Sequence, residues 1–313
     1  MVASKAQLCA VLLFALTVPS CGTKEQKEQK PLPINTQEPA PAPDPVPAPA
    51  PTPAPIPVPV PGTPPVPPPP PPPAPPASPG CGTNNQDTGL MNTSIKVGST
   101  KRTFIRVVSP SYDSTHKHAL IIGFHGAGLD GTSPRRDHRW DLVENMAGDE
   151  AIFLYPNGLG GVWDASRDAA LFDELVKTQS TAYCIDQSRI FVHGFSNGSF
   201  FVNSLVSMRT SAIRAVITVA GNGPGARLPA MIIHGTNDQN IGYYPNAKNV
   251  VDNYTRLNSC TIPNKFNSVA MGTCQFMDGC PSNLPVLFCP WNGPHHWPEF
   301  SLTYVWQFIQ LFQ

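Results

Sequence analysis

The sequence predicts an α/β fold, with a mainly parallel sheet and helices on both of its faces. Three observations carry this prediction. Short apolar runs alternate with helical patterns over about the last 230 residues. A glycine-flanked serine lies between one of these runs and a helical pattern. An aspartate and a histidine follow it, each in a loop after a later apolar run.

The alternation predicts the elements one by one. Apolar runs typical of buried strands cover the ranges 103–108, 119–124, 151–155, 189–193, 215–219, 230–233 and 285–288. Helical patterns cover the ranges 138–148, 168–178, 199–208, 247–258 and 301–312. About 230 residues suffice for one well-buried domain and not clearly for two.

The serine at the tip of a turn is the most informative local feature. Gly194-Phe195-Ser196-Asn197-Gly198 follows one predicted strand and precedes a predicted helix. A nucleophile elbow requires this strand–turn–helix context, and its glycines let strand and helix pass close together. A purely structural turn is the alternative, because glycine- and serine-rich loops match the pentapeptide by chance. The context favours Ser196 as a nucleophile.

Partners for a nucleophilic serine follow downstream in the order acid, then base. Asp238 lies in the loop after the apolar run 230–233, and His295 and His296 lie in the loop after 285–288. A serine hydroxyl becomes reactive when an imidazole takes its proton, and a buried carboxylate orients that imidazole. The alternatives are a helix cap or turn for Asp238 and a metal ligand or surface position for the histidines.

A glycine-rich loop upstream supplies a further candidate group. The run 119–124 ends in His125-Gly126-Ala127-Gly128. We expect the backbone N–H groups of Ala127 and Asn197 to form an oxyanion hole for a tetrahedral intermediate. A simple strand-to-loop turn is the alternative for this segment.

Six segments together resemble the polyhydroxybutyrate depolymerase and feruloyl esterase family of secreted α/β-hydrolases, which includes carbohydrate esterases. The resemblance covers about residues 81–313. The segments are Gly123-Phe124-His125-Gly126-Ala127-Gly128, Tyr155-Pro156-Asn157-Gly158, Tyr183-Cys184-Ile185-Asp186, 189–198, His234-Gly235-Thr236-Asn237-Asp238 and Gly293-Pro294-His295-His296-Trp297-Pro298.

The resemblance implies a serine esterase of the α/β-hydrolase fold that needs no cofactor. The family's last motif makes His295 the base and His296 a variable position. The implied substrate is an ester on a polymer, either feruloyl or acetyl groups of plant polysaccharide or a polyhydroxyalkanoate. The chain departs from the family at Ser199, where a second glycine is usual. It also replaces a valine-proline-tyrosine-like run with residues 239–243, which leaves the substrate preference open.

Several aromatic and acidic residues have two interpretations. Three tryptophans fall in loops that flank the predicted site: Trp163, Trp291 and Trp297. They either stack on a sugar or phenolic ring of a substrate or pack the wall of the site. Trp140 and Trp306 lie in helical patterns and are expected in the core. Asp168 opens a helical pattern, which favours a helix cap over a role in support of catalysis.

The N-terminal residues are typical of an export signal. Lys5 precedes an apolar run at 8–18, and Cys21 follows. Residues 1–21 are too short for a membrane-spanning helix and have the layout of a signal peptide. The context of Cys21 resembles a bacterial lipobox, which favours lipidation of this cysteine and a cell-envelope anchor. Ordinary cleavage and secretion is the alternative.

A proline-rich linker is predicted for residues 22–80, ahead of a catalytic domain at 81–313. Residues 31–80 contain 26 prolines in 50 positions, which favours polyproline II over a packed core. Such a tether reaches on the order of 150 Å. It suits an enzyme held off an envelope surface, and equally a catalytically silent binding module or adhesin of the same fold. A site for proline-recognition domains is a weaker alternative.

Charge and cysteine content narrow the classes of partner and compartment. Lysine plus arginine equals aspartate plus glutamate at 21 each, so nothing favours nucleic acid as a partner. Six cysteines follow residue 80: Cys81, Cys184, Cys260, Cys274, Cys280 and Cys289. An even number in an exported domain predicts up to three disulfides, with 15 possible pairings. A zinc site is disfavoured because no C-x2-C element is present.

Overall fold

The computed structural model of the chain describes residues 78–83, 85, 87–261, 266–267 and 269–313. The predicted signal peptide, Cys21 and residues 22–77 of the predicted linker lie outside the described residues.

The last residues of the predicted linker belong to the folded domain. The Ser78 hydroxyl donates a hydrogen bond to the Tyr183 carbonyl (3.0 Å) and accepts one from the Ile185 N–H (2.9 Å). The Gly80 N–H donates to the Ser180 carbonyl at 2.9 Å. The predicted boundary at Cys81 is therefore at least three residues too late.

A single mixed sheet organises the described residues. Its nine strands are β1 Gly89–Val97, β2 Thr100–Val108, β3 His118–Phe124, β4 Ala151–Pro156, β5 Ile185–Phe195, β6 Ala215–Val219, β7 Ala230–Gly235, β8 Gln275–Phe276 and β9 Val286–Trp291. They lie in the order β1-β2-β4-β3-β5-β6-β7-β9-β8. The six central strands, β4-β3-β5-β6-β7-β9, are parallel to one another. Antiparallel pairs flank them on both sides.

Helices connect most of the parallel strands, and one more follows the last strand. They are α1 Ser133–Arg136, α2 Trp140–Ala147, α3 Ala165–Ala182, α4 Asn197–Met208, α5 Tyr243–Leu257 and α6 Ser301–Gln310. Two short 3₁₀ turns lie at Leu159–Gly161 and Thr210–Ala212. In the part of the chain that the structure describes, no helix has the length and apolar character that a membrane crossing needs.

The core divides into two apolar clusters, one on each face of the sheet. Leucine, phenylalanine and valine side chains of α3, α4 and α5 pack on one face. Trp140 and Val143 of α2 pack with Val305 and Ile309 of α6 on the other. Burial on both faces explains the continuous apolar runs of the central strands, since parallel sheets covered by helices have no polar side.

The predicted α/β-hydrolase fold is confirmed by this architecture. All seven predicted strands and all five predicted helices are present, with ends that differ by a few residues. Three elements were not predicted: β1, β8 and α1. Strand β1 is exposed on one face and only partly buried on the other, where Ile95 and Val97 pack against the core, so its apolar alternation is short and weak. Strand β8 spans two residues and α1 four, too few for a periodicity.

Three disulfides join the six cysteines. They pair Cys81 with Cys184, Cys260 with Cys280 and Cys274 with Cys289. The first ties the segment before β1 to the turn between α3 and β5, and the third ties the segment before β8 to β9. The predicted disulfides are confirmed, and the fold selects one pairing from the 15 that were open.

Candidate active site

Ser196 occupies a strained turn between β5 and α4. Its backbone has φ 54° and ψ −119°, a conformation that ordinary residues avoid. Gly194 and Gly198 flank it, and a Cβ at either would come within 3.0 Å of backbone atoms. At Gly198 the obstructing atoms are the carbonyls of Phe124 and His125. A strained serine with a half-buried side chain, between two closely packed glycines, is what a nucleophile elbow requires.

Asp238 and His295 form a hydrogen-bonded pair at the carboxyl ends of β7 and β9. His295 Nδ1 lies 2.7 Å from Asp238 Oδ2, so Nδ1–H donates and Nε2 is left without a proton in the neutral ring. The other carboxylate oxygen, Oδ1, accepts the backbone N–H groups of Asn240 (2.9 Å) and Ile241 (2.7 Å). Asp238 is 5% exposed. His296, the competing candidate, is exposed.

The loop that carries His295 packs beside the elbow. The Phe195 and His295 rings lie 4.8 Å apart, and Phe195 directly precedes Ser196. Within the described residues, the Ser196 hydroxyl itself makes no hydrogen bond, so the structure brings His295 to Asp238 but does not join it to the serine. Such contacts often tighten only when a substrate is bound.

His234 is a second histidine at the acid. Its Nε2–H donates to the Ile241 carbonyl at 2.7 Å and lies 3.5 Å from Asp238 Oδ2. Burial lowers the pKa of the His234 ring, which favours its neutral form. His234 thus holds the loop that wraps the carboxylate. The described residues contain no cluster of three or more His, Cys, Asp or Glu side chains suited to a metal ion.

The predicted oxyanion-hole residues lie on the two sides of the elbow. A Cβ built on Gly126 would be 3.3 Å from the Ser196 Cβ, which places the loop after β3 against the serine. The backbone N–H groups of Ala127 and Asn197 donate no hydrogen bond to any described group. Both donors are therefore available to a ligand beside Ser196.

Hydrogen bonds of His125 and Trp163 fix the loop that contains Ala127. The Gly158 N–H donates to His125 Nε2 (3.0 Å), and His125 Nδ1 donates to the Gly126 carbonyl (2.8 Å). Trp163 Nε1 donates to the His125 carbonyl at 2.9 Å, while the Trp163 backbone N–H donates to Asn197 Oδ1 at 2.7 Å. Sequence reasoning missed these roles, although both residues stand in or beside quoted motifs.

The three loop tryptophans are placed differently from one another. Trp163 is 6% exposed and packs against Phe124, so it lines the inside of the site wall. Trp297 is 1% exposed and donates from Nε1 to the Ser301 hydroxyl, which makes it a core residue and excludes stacking on a substrate. Trp291 is half-buried, with its ring against Gly293.

Asp168 is buried and is not the N-cap of α3. That position belongs to Asp164, whose side chain accepts the Arg167 N–H at 2.9 Å. Asp168 instead accepts the Asp164 N–H (2.8 Å) and forms an ion pair with Arg102 (2.6 Å). Burial alone would raise the pKa of the Asp168 carboxyl, but hydrogen bonds from Arg167, Asp164 and Arg102 lower it. No local pattern indicates the partner Arg102, because it is distant in sequence.

The half-buried Ser196 side chain does not line any of five cavities of about 280 to 630 Å³ on the described surface. Exposed apolar side chains lie on the elements next to the elbow. Phe200 projects from the first turn of α4, and Leu159 and Val162 lie on the loop that contacts Asn197.

Comparison with known proteins shows which family the chain belongs to. It is 30% identical over 210 residues to a probable feruloyl esterase C from Aspergillus terreus, covering 62% of this chain and 76% of the relative. The chain belongs to the feruloyl esterase family. Feruloyl esterase C from Emericella nidulans is 27% identical to this family member over 236 residues, covering 70% and 83%. No protein-family model matches the sequence.

Solved structures agree on the fold of this feruloyl esterase relative. The feruloyl esterase module from Clostridium thermocellum complexed with sinapinate superposes with a TM-score of 0.55 at 13% identity, covering 76% of this chain and 92% of that one. An acetyl xylan esterase from Aspergillus awamori gives 0.54 at 13% identity, covering 72% and 100%. The chain is therefore a carboxylic ester hydrolase, which sets aside the hypothesis of a catalytically silent module.

Proposed function

We propose that this chain is an exported serine esterase that cleaves acyl esters, feruloyl or acetyl, from plant polysaccharide. The observation that carries the proposal is the 2.7 Å hydrogen bond between His295 Nδ1 and buried Asp238, next to a serine on a strained elbow. An imidazole oriented by a carboxylate, with Nε2 free, is what activation of a serine hydroxyl needs.

In the proposed first half-reaction, Ser196 Oγ attacks the ester carbonyl carbon while His295 Nε2 takes the hydroxyl proton. The carbonyl oxygen becomes an oxyanion, which accepts hydrogen bonds from the Ala127 and Asn197 N–H groups. Asp238 stabilises the imidazolium that forms. Collapse of the intermediate breaks the bond to the sugar oxygen, which takes the proton from His295 and leaves as the alcohol.

In the proposed second half-reaction, water releases the acyl group. His295 takes a proton from the water, whose oxygen attacks the acyl-enzyme carbonyl. The same two backbone N–H groups bind the second oxyanion. The carboxylic acid then leaves, and the proton returns from His295 to Ser196 Oγ. His295 takes its protons from Ser196 and then from water, and passes them to the leaving alcohol and back to Ser196, so this route calls on no cofactor.

Relatives and surface shape support a polysaccharide ester as the substrate. Two relatives, 30% and 27% identical over 76% and 83% of their length, are named a probable feruloyl esterase C and feruloyl esterase C, and a third, 24% identical, is named a bifunctional acetylxylan esterase and xylanase. The half-buried Ser196 side chain lines none of the five cavities described above, which agrees with a bulky polymer as the substrate. Hydrolysis of a polyhydroxyalkanoate would be a different outcome of the test below.

The proposal includes export and a proline-rich tether. Residues 1–21 have the layout of a signal peptide, and residues from 22 to the folded domain form the linker. Three disulfides agree with an oxidising compartment. A lipid on Cys21 would hold the domain at the cell envelope, and metabolic labelling with a fatty acid would separate this from release of the protein.

Adjacent histidines offer a matched test of the mechanism. We predict that His295→Ala lowers kcat/KM for methyl ferulate or p-nitrophenyl acetate by at least about 10³-fold, whereas His296→Ala changes it less than about threefold. The reason is that only the His295 ring is bound by Asp238. Initial rates of the full-length chain, with Ser196→Ala as the inactive reference, measure this.

Three results would contradict the proposal in different ways. Equal losses for the two histidine variants would remove His295 as the base. Turnover by Ser196→Ala would remove the acyl-enzyme. Serine-dependent hydrolysis of a polyhydroxybutyrate suspension, with no release of ferulate or acetate from xylan, would keep the mechanism and replace the substrate class.

A further inference from the structure

We propose that the loop 158–163 positions both halves of the oxyanion hole, acting through Trp163, His125 and the Asn197 side chain. The inference rests on the proposed function, since it assumes that the Ala127 and Asn197 N–H groups bind the oxyanion. It adds three positioning residues to the three groups of the triad.

The first contact reaches the donor on α4. The Trp163 backbone N–H donates to Asn197 Oδ1 at 2.7 Å. Asn197 is the first residue of α4, and its own N–H points out of the helix without a described partner. A hydrogen bond of this length restrains the Asn197 side chain and therefore the peptide that carries the donor.

Two further contacts reach the loop that carries the other donor. The Gly128 N–H donates to the Gly161 carbonyl, and Trp163 Nε1 donates to the His125 carbonyl, both at 2.9 Å. These bonds fix the residues on both sides of Ala127, whose own side chain is exposed. Gly128 has φ 73°, a conformation that glycine adopts without the steric penalty of a Cβ.

His125 closes the same network with its ring. Nδ1 donates to the Gly126 carbonyl (2.8 Å), and Nε2 accepts the Gly158 N–H (3.0 Å). Only the neutral ring with its proton on Nδ1 satisfies both bonds. The ring is buried against Trp163, at 4.8 Å between centroids, which favours the neutral form.

A buried ion pair anchors the loop itself. Arg102 of β2 donates to Asp168 at 2.6 Å and to the Asn157 carbonyl at 3.1 Å, with 2% and 0% of the two charged side chains exposed. Asp168 in turn accepts the Asp164 N–H, directly after Trp163. Hydrogen bonds at Asn157 and Asp164 therefore fix both ends of the loop 158–163.

Positioning of this kind matters because oxyanion donors act only at the correct distance. Donors must lie about 2.7–3.1 Å from the developing oxyanion, and removal of one donor costs about 10²–10³ in rate. A shift of about 1 Å in a reacting group costs about 10². One loop that holds both donors couples their positions, although Ala127 and Asn197 are 70 residues apart in the sequence.

The test uses two substitutions that remove one hydrogen bond each. Trp163→Phe keeps a ring in the core and removes the bond to His125. Asn197→Ala removes the acceptor for the Trp163 N–H but keeps the backbone donor. We expect each to lower kcat for methyl ferulate about 10- to 100-fold with KM within twofold. Affinity for a phenylboronic acid, which forms a tetrahedral adduct with Ser196, should fall by a similar factor.

Trp306→Phe in α6 is the matched control. It makes the same change in a buried tryptophan of the opposite core cluster, and its kcat and boronate affinity should equal those of wild type. Folded Trp163→Phe and Asn197→Ala chains with wild-type kcat and boronate affinity would overturn the inference. If Trp163→Phe fails to fold, Asn197→Ala at the half-buried α4 terminus decides it. If Ser196→Ala instead hydrolyses methyl ferulate as fast as wild type, the proposed function itself is overturned.

Discussion

Single glycines set the shape of the elbow. A methyl group on Gly194 would meet the Gly198 backbone across the turn, and one on Gly198 would meet the carbonyls of Phe124 and His125. The missing Cβ at Gly194 lets strand β5 and helix α4 approach closely, and the missing Cβ at Gly198 lets α4 approach the end of β3. Ser199, at the position where the family usually carries a second glycine, is fully buried and hydrogen-bonded to the Thr218 hydroxyl, so the substitution fills space behind the elbow.

One buried histidine beside the site predicts how stability depends on pH. His138 is 4% exposed and packs 4.5 Å from the Phe195 ring and 5.8 Å from the His296 ring. Burial, followed by the His296 charge, lowers the pKa of His138 to about 4. Between pH 6.5 and about pH 4 the unfolded chain binds a proton at this residue and the folded chain does not. The free energy of unfolding therefore falls by about 1.4 kcal/mol for each pH unit by which the pH is lowered in this range.

We predict that His138→Phe reduces the difference in unfolding free energy between pH 7 and pH 5 by about 2 kcal/mol, since the substitution removes this proton uptake. Urea unfolding of the two proteins at both pH values measures the effect. The comparison of pH dependences cancels any change in packing caused by the new ring. An unchanged difference would show that His138 is already protonated in the folded state at pH 5.

At the scale of elements, a buried ion pair between Arg102 and Asp168 joins strand β2 to helix α3. Both charges are buried, and removal of Asp168 leaves Arg102 without its acidic partner, while the second partner of Asp168, Arg167, is 40% exposed. Arg209 and Asp173 form a similar pair at 2.7 Å on the surface, with 35% and 46% of their side chains exposed. Solvent weakens this second pair.

We therefore predict that Asp168→Asn lowers the free energy of unfolding by about 3–5 kcal/mol and that Asp173→Asn lowers it by less than about 1 kcal/mol. Urea unfolding at neutral pH measures both values. The two substitutions are chemically identical and both lie on α3, which makes the surface pair a direct control. Equal losses would mean that burial of the Arg102–Asp168 pair has no energetic consequence.

Across the domain, the disulfides close loops of very different lengths. Cys81 and Cys184 are separated by 103 residues, and Cys274 and Cys289 by 15. Each pair contains one buried and one half-buried cysteine, so the packing lost on substitution is similar. A cross-link restricts the unfolded chain more when the loop that it closes is longer.

The double substitution Cys81→Ala/Cys184→Ala should lower the free energy of unfolding by about 4–5 kcal/mol, and Cys274→Ala/Cys289→Ala by about 3 kcal/mol. Urea unfolding under oxidising conditions measures the order of the two losses, with fully reduced wild type as the reference. A larger loss for the shorter loop would indicate that native packing around Cys289, rather than chain entropy, dominates.

Local pattern was enough to predict most of the fold. Strand β6 was predicted residue for residue as 215–219, because an apolar run bounded by turns reports burial along the chain itself. Strand β1 was missed because its apolar face is short and only partly buried, while nine backbone pairs with β2 stabilise it. The candidate serine, acid and histidine were likewise readable from strand ends, while their roles remain proposals.

The sequence by itself determined the fold class, the candidate residues and the number of cysteines available to pair. Only the tertiary structure decided that Cys81 meets Cys184, that Trp297 is core and that Arg102 pairs with Asp168. The hydrogen bond between His295 and Asp238 agrees with the choice of His295 that the family motif implied. The physical reason is that periodicity and turn chemistry act between neighbours in the chain. Contacts between distant residues form only where the folded sheet brings loop ends together.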